Sequence, residues 1–319
     1  DAQESRGLGD VYKRQPVLFT IERGNLIIFA LGFLALALAS EGWRRALAIG
    51  MLINIKPYFA LFLIGFAVTR RPRELVLATS MAATIFLVSG MLLDPQFLEF
   101  LKNILQFSQE IYLFSPRELL GLPSSISAFS AVLRLYQYAG GSFSIAGLGI
   151  NTLVILIEGS KIVSIMAMLF ALWRCGPRVP TDIMLSAMTI MIGNLGVWVG
   201  GYTLILYSCL IPILWRMRYG RIYIACIGLI LAPLDIVVLL DEKLGPHRYS
   251  YLSDTTSTIF FQLTAGAFIR PVANLALLLL LAFEILRSAE AQLSKNREKR
   301  HQQILPRART FDFVGVPND

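Results

Sequence analysis

At 319 residues, 55% hydrophobic and only 16% charged, with a mean hydropathy of +0.63, the chain is too apolar for a soluble domain, where about 25% of residues carry charge. The net charge of +8 would suit nucleic acid, but the basic residues form short clusters between apolar runs of spanning length, so the chain reads as a polytopic membrane protein with no nucleic-acid partner. Three scattered cysteines, two histidines and no complete phosphate-binding glycine loop leave no expected cofactor and no metal.

Taken from the start, residues 1–15 stand apart from the rest. Asp10-Val11-Tyr12-Lys13-Arg14-Gln15 is the translation of a transposon end used to fragment DNA for sequencing (GAT GTG TAT AAG AGA CAG). The expected organisation is therefore a non-native segment at 1–15, a transmembrane domain at 16–287 and a basic cytoplasmic tail at 288–319, with the true beginning upstream of Pro16. Apolar runs at 25–41, 46–69, 74–93, 151–173, 182–198, 202–215, 222–240 and 265–286 predict an all-α transmembrane helix bundle of about eight spans.

The run 46–69 contains Lys56-Pro57, a charge and a helix breaker at membrane depth. Each is costly in lipid, so both should face protein, water or ligand. Lys56 either meets an anion there or snorkels to the interface from a tilted helix. Basic clusters at Arg70, Arg71 and Arg73, at Arg174 and Arg178, at Arg216, Arg218 and Arg221, and after Arg287 fall on one side if the spans alternate; that side is the cytoplasm. Arg44 and Arg45 disagree if 46–69 crosses the membrane. They agree if Lys56-Pro57 divides that run into two half-helices that dip in and return.

The segment 94–150 lies outside the cytoplasm on this topology. Asp94-Pro95 starts a predicted amphipathic surface helix, and Ser124-Ser125 starts a second that leads to Arg134. Glu158 and Lys161, three apart on one helix face, read as an internal ion pair more readily than as catalytic groups. Asp235 is either an isolated functional acid or a headgroup contact. The polar stretch 241–254, with His247 and Arg248, is either a sugar-binding loop or a solvated one. Arg270-Pro271 repeats the charge-plus-proline device as an interfacial anchor.

Three motifs bear a likeness to a known family. Glu22-Arg23-Gly24-Asn25 opens the first run, Asn54-Ile55-Lys56-Pro57-Tyr58 sits in the second ahead of the basic turn Arg70-Arg71-Pro72-Arg73, and Gly200-Gly201-Tyr202 opens a later one. In order and spacing these resemble the C-type integral-membrane glycosyltransferases of glycosyltransferase family 87, over roughly 16–286. The stretch from Pro123 to Ala128 followed by Arg134 is similar to the family's N-Q-S region but lacks the Asn-Gln pair, and Trp198 stands without the histidine of some members. The resemblance implies a hexosyltransferase in a bacterial plasma membrane that takes a sugar, mannose among the candidates, from a polyprenyl-phosphate donor to a lipid or glycan acceptor on the non-cytoplasmic side. It implies a catalytic Asp in an outer loop that would lie upstream of Pro16. It also implies substrate-binding roles for Lys56, Arg23, Asn25, Tyr58 and Tyr202; from the residues themselves, Arg134 is a further candidate phosphate contact at the interface and His247 and Arg248 are candidate sugar contacts. A transporter or lipid flippase, with Lys56, Glu158 and Lys161 lining a path, and a non-catalytic membrane protein are the rival readings.

Overall fold

The computed structural model describes residues 26–93, 133, 144–145, 147–195, 201–232, 237–241, 247–250, 255–258 and 261–304. The segment 1–15, the Glu22–Asn25 motif, the predicted helices of 94–132, Arg134 and Asp235 lie outside these described residues. Nine α-helices stand among the described residues: α1 (Ile27–Ala39), α2 (Gly42–Ile55), α3 (Leu61–Val68), α4 (Pro72–Leu93), α5 (Ile150–Cys175), α6 (Thr181–Leu195), α7 (Ile211–Trp215), α8 (Gly220–Leu231) and α9 (Ala265–Ile304). 3-10 helices at Pro57–Ala60, Gly176–Arg178 and Gly201–Leu210 link them. Three two-stranded antiparallel pairs complete the described part. They are β1 (Ser144–Ile145) with β2 (Leu148–Gly149), β3 (Val237–Asp241) with β6 (Phe261–Thr264), and β4 (His247–Ser250) with β5 (Thr255–Thr258).

The class is all-α, but the expectation of about eight spans is overturned. Only three helices among the described residues are long and apolar enough to cross a membrane: Pro72–Leu92, Ile150–Arg178 and Ile269–Ser288. Local chemistry interrupts the other runs. The run 46–69 breaks at Lys56-Pro57, and 202–215 winds mostly as a 3-10 helix. The run 222–240 divides into α8, which ends at Leu231 with Ala232 extended, and strand β3, which starts at Val237. Helix α1 has 13 residues and α6 has 15, about 20 Å each, short of a hydrocarbon core of about 30 Å.

At the centre of the bundle is α6. Met184, Leu185, Ala187, Met188, Ile190, Met191 and Ile192 are all buried, and so are Ser186, Thr189 and Asn194 on the same helix. A helix buried all round needs neighbours on every side, and α6 packs against α1, α3, α5, α9 and the 3-10 helix Gly201–Leu210. The outer helices are two-faced instead. Ser164, Met168, Ala171, Leu172 and Cys175 of α5 point inward against α9, while Ile155, Ile162, Val163, Met166, Phe170 and Trp173 form an exposed apolar ridge. That ridge has the character of a lipid-facing surface.

Helix directions follow from the polar fastenings at one end. Arg71 donates from Nη1 to Thr181 Oγ1 and from Nη2 to the carbonyls of Pro177 (3.0 Å) and Val179 (2.5 Å). Glu284 on α9 accepts the Arg218 backbone N–H and the Tyr223 hydroxyl, both at 2.7 Å. Arg45 donates to Ala37 O at 3.1 Å and lies within electrostatic reach of Glu41, Arg71, Asp182 and Glu74. The arginine clusters at 44–45, 70–73, 174–178 and 216–221 therefore share one end.

Candidate functional site

The electrostatic reach of Arg45 to Arg71 and Glu74, together with the approach of Gly50 to Ala82, decides the path of 42–68. Helix α2 starts level with the foot of α4 and runs alongside it in the same direction, so that Gly50 meets the backbone of Ala82 and Asn54 Nδ2 donates to Ala82 O at 3.0 Å. A Cβ at position 50 would press on Met81, Ala82 and Ile85, and glycine is what allows this approach. After Ile55 the chain turns over, and Pro57–Ala60 and α3 return to the foot of α4. The segment is a re-entrant helical hairpin with Lys56 at its tip. Fourteen residues of α2 raise that tip about 20 Å above the arginine-rich end. The discordance of Arg44 and Arg45 disappears with it.

Why the tip forms is legible in its dihedral angles and its proline. Lys56 is extended (φ −147°, ψ 119°), as the residue before a proline must be, and Pro57 takes the first position of the following helix, where its missing N–H costs nothing. The Lys56 backbone N–H closes α2 onto Leu52 O at 3.0 Å, and its carbonyl accepts Phe59 N–H at 3.1 Å. A cation at the C-terminus of α2 also sits favourably against the helix dipole. Phe59 and Phe62 stack beneath the tip with centroids 5.7 Å apart and are fully buried. The lysine is thus carried on a packed support rather than on a mobile loop.

Tyr58 fixes the tip sideways. Its hydroxyl lies 3.3 Å from Thr203 Oγ1, at the start of the 3-10 helix Gly201–Leu210. Through this contact the Lys56-Pro57-Tyr58 segment lies beside Thr203, the residue after Tyr202, whose own side chain lies outside the described residues. His247 and Arg248 fall on β4, paired with Thr258 and Ser257, and their side chains also lie outside the description, as do Arg23, Asn25 and Arg134 altogether. Lys161 and Glu158 form an ion pair at 3.2 Å on α5.

Reading the sequence missed a second set of polar groups. Tyr207 donates to Asn274 Oδ1 at 2.6 Å, close against Gly193, and Asn194 Nδ2 reaches Ile190 O at 3.4 Å. Asn194 Oδ1 and Asn274 Nδ2 are buried with no partner among the described residues. The signal for them was present: an asparagine within an apolar run is costly and calls for a stated purpose. Arg270 was read as an interfacial anchor, yet it is 1% exposed and donates to Ile230 O (3.2 Å) and Ala232 O (2.9 Å), closing the end of α8.

The comparisons with known proteins come to one positive finding. The model of glycosyltransferase family 87 matches residues 14–197, more than half of the chain, and the match covers α1 to α6 with the whole hairpin. No curated protein and no solved structure matches.

Proposed function

Because the chain belongs to glycosyltransferase family 87 and is a multi-pass membrane protein, a membrane glycosyltransferase in kind, we propose that it takes a sugar from a polyprenyl-phosphate donor to a lipid or glycan acceptor on the non-cytoplasmic side. The observation that carries this reading is the re-entrant hairpin. It raises the Lys56 ammonium to membrane depth, away from the arginine-rich end, on a tip pinned by Tyr58 to Thr203. A lipid phosphate leaving a glycosidic bond needs positive charge in a low-dielectric setting. Lys56 supplies that charge, with Tyr58 and Tyr202 near the sugar, and exposed apolar faces leave room for a prenyl chain.

The test is donor binding, which needs no turnover. The purified chain in nanodiscs is titrated with a labelled polyprenyl-phosphate sugar, with and without Lys56→Met, which keeps volume and removes charge. Loss of one charge-assisted bond should weaken binding by about 1.5 to 3 kcal/mol, roughly ten- to a hundredfold. Lys56→Arg should restore it only in part, since a planar fork does not replace a compact ammonium. Unchanged affinity in Lys56→Met would place the phosphate elsewhere.

A further inference from the structure

We infer that the cytoplasmic end of α5 holds the headgroup of an anionic phospholipid, at a site separate from the hairpin tip. A cavity of about 500 Å³ opens there, lined by Arg70, Trp173, Arg174, Cys175, Pro177 and Arg178. Three arginines converge on it, and none of them forms an ion pair with a carboxylate among the described residues. The adjacent Arg71 is committed to Thr181, Pro177 and Val179. Like charges gathered without counter-charges are unfavourable unless an anion joins them.

A second, independent observation concerns the backbone. Arg70 has φ +57°, in the left-handed region, and is the one non-glycine residue to do so among the described residues. It stands at the position after α3 where the Arg71 N–H bonds back to Phe66 O at 2.9 Å, a helix ending that normally selects glycine. Placing arginine there brings its guanidinium over the Trp173 ring, 5.8 Å from the centroid, at the mouth of the cavity. Strain of this kind is characteristic of ligand clamps.

The apolar ridge of α5 identifies the anion as a lipid. Trp173 is 51% exposed and stands 6.1 Å from Phe170, and above them Met166, Val163, Ile162 and Ile155 continue the ridge toward the opposite side. An acyl chain lying on that ridge places its phosphate at the level of Arg70, Arg174 and Arg178. Basic pockets between helices on the cytoplasmic side, bordered by interfacial tryptophan, are suited to such headgroups.

The full chain is reconstituted in nanodiscs of phosphatidylcholine with a minor fraction of phosphatidylglycerol, and retained lipids are counted by native mass spectrometry beside thermal unfolding. Phosphatidylglycerol should be enriched about tenfold over its bulk share. Arg70→Gly relieves the backbone while removing the charge, so it should unfold no earlier than the parent yet lose most of the enrichment. Arg70→Gly with Arg174→Gln should bring it to parity, and Arg73→Gln, which does not line the cavity, should leave it intact. Full enrichment in the double variant overturns the inference. So does inorganic phosphate in phosphatidylcholine alone raising the unfolding temperature as much as phosphatidylglycerol does, because the ligand is then free phosphate.

Discussion

A single arginine shows how far position alters the meaning of a residue. Lys56 and Arg270 each neighbour a proline inside an apolar run, and their sequences read alike. The structure separates them: Lys56 is partly exposed at a hairpin tip, whereas Arg270 is buried and closes the last carbonyls of α8. Arg270→Met should therefore destabilise the protein by about 2 to 3 kcal/mol, since a buried and a half-buried backbone acceptor lose their donor. A lowered unfolding temperature in detergent, together with unimpaired donor binding by the remaining folded fraction, is the expected result. Lys56→Met should show the reverse pattern. The presence of a costly cation was legible in both places. Its purpose was not, because burial and partners are properties of elements far apart in the chain.

Among the elements, the hairpin was half legible. Lys56-Pro57 announces a break, and the pair Arg44-Arg45 hints at a return, but hydropathy alone cannot tell a dip from a crossing, and eight apolar runs were counted as spans. What decides the matter is a tertiary fact, the side-by-side run of α2 and α4 through Gly50 and Ala82. Arg71 then ties the foot of the hairpin to the turn between α5 and α6 by bonds to Thr181, Pro177 and Val179. Arg71→Lys keeps the charge but cannot serve three acceptors with a fork, so it should cost about 1 to 3 kcal/mol and open this turn to proteolysis from the cytoplasmic side. Equal protease resistance in the variant and its parent would show that the foot is held by apolar packing alone. At the other fastening, Tyr223→Phe leaves one oxygen of the buried Glu284 without its donor and should cost about 1 to 3 kcal/mol in thermal unfolding.

For the molecule as a whole, the hairpin brings every described arginine cluster to one face, in accord with the positive-inside bias. Sidedness can be measured directly. In a chain whose three cysteines are replaced by serine, Glu41→Cys and Arg73→Cys should both react with a membrane-impermeant reagent from the cytoplasmic face of sealed vesicles. Reaction of the two from opposite faces would restore a simple crossing. A dip also changes the parity of the chain. A crossing at 46–69 would put Arg45 and Arg71 on opposite sides, whereas a dip contributes an even number of passages and keeps both flanks of the hairpin, Arg45 and Arg71, on one side. One proline thus decides whether 46–69 counts as a passage at all, and with it the count of passages for the helices on either side.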